Sequence, residues 1–440
     1  MKKVVLFGAG LVSRPLVRYL LDHGIGVVVA SRTVSKAEAL IQGHELGEAV
    51  ALDVSDDAAM RKLIEAADLA VSLLPAPKHP QVARACLDLG KHMVTTSYIS
   101  PAMTAFDAEA KEKGLTLLNE IGVDPGIDHM SAMEVIHREQ DAGGTLIGFS
   151  SYCGGLPAPE ANDNPFGYKF SWAPRGVLVA AQNPARYLRD GKLIEIPGEK
   201  LFADPATVEI PDLGTFEGYP NRDSVAYLDT YGWNKDEVKS IFRGTLRNQG
   251  HCVLYMQLIA LGLLEQEPAQ DLEGKSYRQL MEARFGAPLE ETIPAKLGVD
   301  KAASPLEALT AIHMTSDDAI RVPKSGTAMV DLMADRMAED LAYKDGERDM
   351  LAMRHDIDFA YEGGKKSRVT AVMVDFGIPN GDSSMARTVS LPAAIGARMI
   401  LEDKITARGV HLPIAKNIYP PVLKELAALG ITFTETKKDI

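Results

Sequence analysis

The stretch that decides the fold is residues 4–13, Val-Val-Leu-Phe-Gly-Ala-Gly-Leu-Val-Ser. Its first four residues predict a buried strand, and an amphipathic helix is predicted directly after the stretch. Gly8 and Gly10 allow a tight turn between them, where backbone N–H groups can approach a pyrophosphate at the helix N-terminus. Ser13 stands where a third glycine or an alanine is usual, and serine is small enough to fit. The stretch therefore predicts a dinucleotide site.

The residues after the second predicted strand indicate which dinucleotide binds. Residues 27–30 (VVVA) form that strand, at the spacing the motif requires, and Ser31, Arg32 and Thr33 follow it. An acid at this place would bind the 2′-hydroxyl of NAD, whereas a guanidinium between two hydroxyls suits the 2′-phosphate of NADP. The alternative is that Arg32 is a solvated surface charge. The flanking hydroxyls favour NADP as the cofactor.

Length and composition bound the class of protein. A chain of 440 residues is longer than a single hydrophobic core usually organises, so about two or three domains are expected. Hydrophobic content of 46% and charged content of 24% are typical of a soluble globular protein without a membrane span. The net charge of −13 argues against a nucleic-acid partner. Cys86, Cys153 and Cys252 show neither a disulfide framework nor a metal-site spacing, which fits a reducing cytoplasm.

Residues 1–125 alternate strand and helix patterns. Further strands are predicted at residues 49–52, 69–74, 92–95 and 115–119, with helices at 58–66, 79–89 and 106–113. This order predicts an α/β fold with a Rossmann-type, doubly wound parallel sheet. Ligands of such a sheet bind beyond the carboxyl ends of its strands, so the loops at that edge are the candidate site.

The pattern changes after residue 125. Strand patterns mixed with long loops continue to about residue 252, and helical spacing dominates from there to about residue 355. We expect an NADP-binding domain at 1–125, an α/β substrate domain at 126–252 and 356–384, and a helical inserted domain at 253–355. The C-terminal segment, about 385–440, is expected to pack back on the first domain.

Two polar segments near the end of the predicted sheet are candidates for chemistry. Ser97 and Tyr98 follow a strand, where their hydroxyls could bind a carboxylate or could merely cap a helix. Asp124, before Pro125 and Gly126, could orient an amine, although the same residues form a strong turn signal.

The second domain offers further candidates. Cys153 lies in a predicted loop rich in glycine and proline, residues 151–160, and it is interpreted as a structural thiol because no histidine lies nearby in the sequence. Arg222 and Arg247 could clamp carboxylates, or could form a solvated face or internal ion pairs. No histidines have zinc-ligand spacing, and His129 is interpreted as a packed or capping residue.

Seven segments in this order resemble the saccharopine reductases, the glutamate-forming saccharopine dehydrogenases of the α-aminoadipate lysine pathway. They are TSYISP (96–101), NEIGVDPGIDH (119–129), SYCGGLPAPE (151–160), GYKFSWAPRG (167–176), YPNRDS (219–224), RGTLRNQG (243–250) and SSMARTV (383–389). The resemblance covers nearly all of the chain. It implies a Rossmann-type domain, an α/β domain that carries the substrate and dimer surfaces, and a helical third domain.

The resemblance also implies site residues. Those that match the family's NADP site are Gly8, Gly10, Leu11, Val12, Ser13, Ser31, Arg32, Thr33, Asp53, Val54, Ser97, Val123, Asp124 and Pro125. Those that match its substrate site are Ser97, Tyr98, Asp124, Cys153, Arg222, Thr245 and Arg247. Asp124 is the candidate for holding the amine and moving a proton, and no metal is expected.

The activity implied by the resemblance is NADPH-dependent condensation of L-glutamate with L-2-aminoadipate 6-semialdehyde to saccharopine, in a cytoplasmic homodimer. One alternative is an imine reductase similar to carboxynorspermidine dehydrogenase, whose cationic substrate would require carboxylates. Others are a transferase similar to homospermidine synthase, which retains its nicotinamide, and a non-catalytic NADPH sensor. Arginine-bearing segments in an otherwise acidic chain favour the first activity, because saccharopine carries three carboxylates.

Overall fold

The computed structural model describes residues 1–171, 174–268 and 272–440. The chain divides into two compact units, the first made of Met1–Gly144 with Met373–Thr436 and the second of Thr145–Val372 with Lys437–Ile440. The segment predicted to be a helical domain lies within the second unit. The division into three domains with the boundaries given above stays a prediction.

The elements are numbered in chain order. The strands are β1 (Lys3–Phe7), β2 (Gly26–Ser31), β3 (Gly47–Ala51), β4 (Leu69–Ser72), β5 (His92–Thr95), β6 (Thr116–Leu118), β7 (Thr145–Pro157), β8 (Ala185–Arg189), β9 (Lys192–Ile196), β10 (Ala206–Ile210), β11 (Gly214–Pro220), β12 (Ser240–Arg247), β13 (Asp349–Ala360), β14 (Lys366–Phe376), β15 (Gly409–His411) and β16 (Thr434–Asp439). The helices are α1 (Arg14–Asp22), α2 (Val34–Ile41), α3 (Asp57–Glu65), α4 (His79–Leu89), α5 (Pro101–Thr104), α6 (Asp107–Glu112), α7 (Ile127–Asp141), α8 (Pro174–Ala180), α9 (Ala226–Thr230), α10 (His251–Ala260), α11 (Tyr277–Phe285), α12 (Leu289–Leu297), α13 (Leu306–Ala311), α14 (Met329–Asp340), α15 (Ser384–Leu401) and α16 (Tyr419–Ala428). Short 3-10 turns lie at Ala76–Lys78, Pro159–Ala161, Gly198–Lys200, Lys301–Ala303 and Glu362–Gly364.

The first unit contains a parallel sheet with the strand order β15-β6-β5-β4-β1-β2-β3. Val5 of β1 lies opposite Val28 of β2 on one side and Ala70 of β4 on the other, in parallel register with both. Because the strand order reverses at β1, the crevice beyond its carboxyl end is the place where such folds bind ligands. The Rossmann-type fold predicted from the alternating pattern is confirmed.

The strands of this sheet are apolar along their whole length because helices cover both of its faces. Val4, Leu6 and Phe7 have no exposed surface. The C-terminal segment returns to this unit, where β15 extends the sheet beside β6. Arg398 of α15 donates a hydrogen bond of 2.8 Å to the hydroxyl of Tyr19 on α1. The strand β15 was not predicted, since its three residues are too few to show a period.

A second sheet contains both parallel and antiparallel strands, in the order β10-β11-β12-β7-β13-β14-β16. The hairpin β8–β9 joins this sheet because β8 pairs with β12. Its long strand β7 runs parallel to β12 and antiparallel to β13, so Cys153 lies opposite Thr245 on one side and Met353 on the other. The interpretation of residues 151–160 as a loop is therefore wrong up to Pro157. Gly154 is required there by packing, because a Cβ would lie 2.5 Å from the carbonyl oxygen of Leu246.

The helices of the second unit surround a separate apolar core. Residues from four helices are buried completely in it, namely Leu258, Met281, Leu309 and Met333. Among the helices that the structure describes, none is both long and apolar enough to cross a membrane.

Candidate active site

The turn after β1 has the geometry that a dinucleotide phosphate needs. Gly8 has a φ of +114°, and a Cβ there would lie 3.1 Å from the carbonyl oxygen of Leu73. A Cβ at Gly10 would meet no atom within 4 Å, so there is open space against this backbone. A phosphate can therefore approach the turn and the N-terminus of α1 closely, as the sequence predicted.

The turn accommodates Ser13 at the third position of the motif because the serine side chain forms hydrogen bonds within the turn. The side chain is buried, and its hydroxyl accepts a hydrogen bond from the Gly10 N–H at 3.1 Å and donates one to the Gly8 carbonyl at 3.2 Å. The hydroxyl thus closes the turn upon itself. Among the described residues, the N–H groups of Leu11 and Val12 have no hydrogen-bond partner, so they are the backbone donors left for a pyrophosphate.

Arg32 follows β2 and is exposed, with no carboxylate within 4.0 Å among the residues described. Next to it, the Ser31 hydroxyl accepts a hydrogen bond from the Thr33 N–H at 3.3 Å. Hydrogen bonds from the N–H and hydroxyl of Ser55 hold the pKa of the Asp53 carboxyl below its usual range, and the charges of Arg32 and Lys78 add to this effect. A guanidinium with no ion-pair partner fits a 2′-phosphate.

Val54, the residue after Asp53, lies in the loop that follows β3. The carbonyl of Val54 accepts a hydrogen bond of 2.9 Å from the side-chain amide of Gln81 on α4. This contact fixes the loop after β3 to a helix on the same side of the sheet. Lys78, in the 3-10 turn before α4, is a cation near this loop that sequence reasoning missed, because it belongs to no motif.

A histidine links the carboxyl ends of β4 and β5. His79 is 2% exposed, and its Nδ1 lies 2.9 Å from the Ser72 hydroxyl. Its Nε2 lies 2.8 Å from the Ser97 hydroxyl and 3.2 Å from that of Thr95. Burial lowers the pKa of His79 to about 4, so the ring is neutral at physiological pH. Sequence reasoning missed this residue, because its partners lie 7, 16 and 18 positions away.

Two predicted site residues meet in the next loop. The hydroxyl of Tyr98 donates a hydrogen bond of 2.8 Å to Oδ1 of Asp124. The backbone around Asp124 is held by the Gly122 N–H donating to the Pro125 carbonyl at 2.9 Å, and by the Asp128 N–H donating to the Val123 carbonyl at 3.1 Å. The sequence predicted both side chains for the site but not their contact with each other.

Gly126 is required by this tight loop. Its φ is +147°, and a Cβ would lie 2.1 Å from the carbonyl oxygen of Gly122. Since that atom belongs to the backbone, it cannot move aside for a side chain. The Asp-Pro-Gly pattern is thus both a turn, as its residue types indicate, and the support of a candidate catalytic carboxylate.

A buried contact between a histidine and a carboxylate braces the same loops. Nε2 of His129 lies 2.8 Å from Glu120 Oε2, with both side chains almost completely buried. The other oxygen of Glu120 accepts a hydrogen bond from the Ile99 N–H at 2.8 Å, and Asp128 lies 3.7 Å from His129 Nδ1. His129 is packed, as predicted, but it also ties α7 to the loops that carry Tyr98 and Asp124. Glu120 was not predicted.

Arg247 is the most informative residue of the second unit. It is 6% exposed, and its guanidinium lies 4.9 Å from the ring centre of Tyr168 and 6.0 Å from that of Tyr219. One nitrogen donates to the carbonyl of Leu246 at 2.7 Å, while Nε has no hydrogen-bond partner among the described residues. A buried cation is costly without an anion, so this position suits the carboxylate of a ligand.

Thr245 and Arg247 share one face of β12 because side chains alternate along a strand. Thr245 lies opposite Tyr219 of β11 and Cys153 of β7. The fold thus brings three of the residues predicted for substrate binding onto neighbouring strands. Cys153 is 8% exposed.

Arg222 lies in the connection between β11 and α9, with a φ of +55°. Its side chain is exposed and lines a surface cavity of about 470 Å³ together with Arg186, Glu195 and Asp223. The arginine is therefore accessible to an anionic ligand. Part of the nearby family motif GYKFSWAPRG, residues 172 and 173, lies outside the described residues. Within the described part of the chain, no His, Cys, Asp and Glu group is arranged to hold a metal ion.

Comparison with known proteins decides the family. Residues 4–118 match the model of the saccharopine dehydrogenase NADP binding domain, and residues 122–431 match that of the saccharopine dehydrogenase C-terminal domain. The chain belongs to the saccharopine dehydrogenase family. Its first unit thus carries the NADP-binding domain of this family, which confirms the cofactor inferred from Arg32.

Members of the saccharopine dehydrogenase family match over most of the chain. It is 37% identical to "Saccharopine dehydrogenase [NADP(+), L-glutamate-forming]" of Schizosaccharomyces pombe, over 99% of both chains. It is 38% identical to the mitochondrial alpha-aminoadipic semialdehyde synthase of Bos taurus, over 98% of this chain but 47% of that protein. The chain therefore spans about half the length of such longer relatives.

A solved structure agrees with the fold. The apo saccharopine dehydrogenase (L-Glu forming) from Saccharomyces cerevisiae superposes with a TM-score of 0.91 at 36% identity, and the match covers 100% of both chains. The sequence resemblance to this family is thus confirmed.

The lowered pKa of His79 predicts how the free energy of unfolding changes with pH. Its pKa of about 4 in the folded chain lies below the ordinary value of 6.5, so the unfolded chain binds a proton first as the pH falls. The stabilising effect of the neutral ring is complete above pH 6.5 and is lost as the pH falls towards 4. At pH 5 this loss is about 2 kcal/mol.

We therefore expect His79→Asn to reduce the loss of unfolding free energy that the protein shows as the pH falls from 7.5 to 5. Urea unfolding at pH 7.5 and pH 5 should show a smaller loss in the variant than in the unchanged protein, by about 2 kcal/mol. Between pH 7.5 and 8.5, where the ring stays neutral in both states, the two profiles should run parallel. Equal losses between pH 7.5 and 5 would contradict the assignment.

Proposed function

We propose that the protein catalyses the reversible, NADPH-dependent condensation of L-glutamate with L-2-aminoadipate 6-semialdehyde to saccharopine. The observation that carries this proposal is the correspondence with fungal saccharopine dehydrogenases (NADP, L-glutamate-forming) over 96–99% of their length. The residues at the carboxyl edge of the parallel sheet and on β12 support it chemically.

The chemistry requires three events. The amine of glutamate attacks the aldehyde carbon, and loss of water gives an imine. Bound NADPH supplies the hydride that adds to the imine carbon, and a proton completes the secondary amine. Since an iminium accepts hydride readily, the main task of the protein is to hold the two substrates in position.

Asp124 is the proposed partner of the reacting nitrogen. Its carboxylate can accept a hydrogen bond from the protonated amine, and in the oxidative direction it can take the proton. The hydrogen bond from Tyr98, 2.8 Å long, fixes the orientation of the carboxylate before the substrate binds. Such pre-orientation lowers the entropy lost when the reacting atoms meet.

Arg247 and Arg222 are the proposed partners of the substrate carboxylates. A buried guanidinium between tyrosine rings, with an unpaired Nε, binds a carboxylate well and repels a polyamine. This observation favours saccharopine over the cationic product of a carboxynorspermidine-type enzyme.

The test is the rate of NADPH oxidation with glutamate and the semialdehyde together. We expect turnover that needs both substrates, with equal amounts of NADPH consumed and saccharopine formed. Turnover with a diamine in place of glutamate would favour the polyamine enzymes, and product without net NADPH loss would favour a transferase. NADPH binding without any turnover would favour the alternative of a non-catalytic NADPH sensor.

Arg32→Ala should discriminate between cofactors. Removing the guanidinium from the 2′-phosphate costs about 2 kcal/mol, so the Kd for NADPH should rise roughly 30-fold while the Kd for NADH stays unchanged. Fluorescence titration measures both. Lys62→Ala, which removes an exposed cation from the same unit, is the matched control and should change neither. Equal weakening of both cofactors would exclude the 2′-phosphate contact.

Arg247→Met should separate substrate binding from cofactor binding. Methionine fills space beside Tyr168 and Tyr219 without a charge, so the KM for a carboxylate substrate should rise at least about 30-fold while the Kd for NADPH is retained. The control is Arg189→Met, since Arg189 also lies over a ring, 5.2 Å from the centre of Tyr187. A normal KM in the Arg247 variant would remove this residue from the substrate site.

We infer further that the protein acts in the cytoplasm as a homodimer. The spacing of the three cysteines, which predicts no disulfide framework, supports a reducing compartment, and the dimer rests on the family resemblance. Light scattering of the purified chain tests it, with twice the 47.5 kDa chain mass as the expected result.

A further inference from the structure

A small polar cluster lies beneath the proposed site, at the carboxyl ends of β4 and β5. It consists of His79 and three hydroxyl groups, those of Ser72, Thr95 and Ser97. His79, Ser72 and Thr95 are buried, whereas Ser97 is partly accessible. Ser97 is thus the member through which the cluster can reach a ligand.

The backbone of Ser97 is held independently of the histidine. Its N–H donates to the Thr95 hydroxyl at 3.4 Å, and its carbonyl accepts from the Glu120 N–H at 3.3 Å. Neither contact determines where the hydroxyl proton of Ser97 points. That direction depends on His79, whose Nε2 lies 2.8 Å from the hydroxyl oxygen.

The protons in the cluster can be assigned by counting donors. A neutral imidazole has one N–H and one lone pair, and the pKa of His79, about 4, keeps it neutral. With the proton on Nε2, the Ser72 hydroxyl donates to Nδ1, and the Nε2–H serves both Ser97 and Thr95. Each of the three contacts then contains a proton. Of the buried hydroxyls in the cluster, only that of Thr95, which accepts from His79 and from the Ser97 N–H, has no recorded acceptor among the described residues.

The opposite tautomer satisfies fewer contacts. With the proton on Nδ1, the lone pair of Nε2 accepts from only one of Ser97 and Thr95, so one contact contains no proton. In addition to that contact, the buried Ser72 hydroxyl would accept from the ring, and its own proton would have no recorded acceptor in the described part of the chain. Buried polar groups rarely remain in that state.

We propose that His79 is a positioning residue that donates from Nε2 to Ser97 and thereby makes the Ser97 hydroxyl a donor towards the ligand. Because the oxygen of Ser97 already accepts from His79, its proton is directed to an acceptor oxygen outside the cluster. This oxygen belongs to a substrate carboxylate or to the carboxamide of the nicotinamide. The proposal rests on the proposed function for the identity of the ligand.

The kinetic test compares His79→Asn, Ser97→Ala and the double variant. Each single change should weaken the same binding step about tenfold, and the double variant should be no weaker than Ser97→Ala, because His79 acts only through that hydroxyl. His79→Gln, whose amide can place a donor near Nε2, should recover most of the loss. Losses that multiply in the double variant would overturn the proposal.

Two readouts distinguish the sources of the acceptor oxygen. A higher Kd for NADPH points to the carboxamide, whereas a higher KM for glutamate or semialdehyde with an unchanged Kd points to a carboxylate. A change in neither would overturn the proposal. His92→Asn is the matched control, because His92 begins β5 at the opposite end of the strand and accepts from the Thr116 N–H at 3.0 Å. It should leave both readouts unchanged.

A measurement on the unmodified protein does not depend on turnover, and two alternative variants serve only to assign its signal. Nitrogen NMR of the histidine-labelled chain at pH 7, with the His79 signal assigned by its loss in His79→Asn or His79→Gln, reports which ring nitrogen carries the proton. We expect Nε2. A proton on Nδ1 would overturn the proposal even if the enzyme forms saccharopine, and a proton on Nε2 would stand even if the proposed function were wrong.

Discussion

Buried polar side chains at the carboxyl edge of a parallel sheet must find hydrogen-bond partners, because leaving a buried polar group unpaired is costly. In the first unit, Ser13, His79 and Glu120 meet this constraint. Each is buried. Ser13 closes its own turn, whereas His79 and Glu120 tie together groups from different loops. Their bonds hold these segments in the arrangement described.

What these contacts leave available is the set of groups that the chemistry needs. In the proposed function, the N–H groups of Leu11 and Val12 bind phosphate, the guanidinium of Arg32 binds a second phosphate, and Asp124, oriented by Tyr98, binds an amine. The separation between buried supporting groups and accessible reacting groups is the main feature of the site. It is consistent with a reaction in which positioning matters more than strong acid or base catalysis.

In the second unit, the main constraint is the burial of a cation. Arg247 lies against the faces of two tyrosine rings, whose negative potential partly offsets the loss of water. Nε has no hydrogen-bond partner among the residues that the structure describes, so the rings offset the loss of water only in part. The proposed tricarboxylate product would need local cations of this kind, because the net charge of −13 would repel it at long range.

The sequence predicted what depends on neighbouring residues, and it missed what depends on distant ones. The glycine turn, Arg32 and the apolar strands were predictable, since turn chemistry and apolar runs are local. The family motifs supplied Tyr98, Asp124 and Arg247. The partners of His79 and Glu120 could not be predicted, because their bonds join residues brought together by the sheet. Residues 151–160 were misread as a loop, since glycines pack closely in strands as well as in turns.

The most direct test of the account follows the hydride. NADPH that carries deuterium at the transferable position of the nicotinamide should be incubated with the protein, glutamate and the semialdehyde, and the product should be examined by mass spectrometry. The account predicts saccharopine with one deuterium on the carbon that was the aldehyde, next to the new C–N bond. Deuterium in a simple alcohol, or joined product without deuterium, would contradict it.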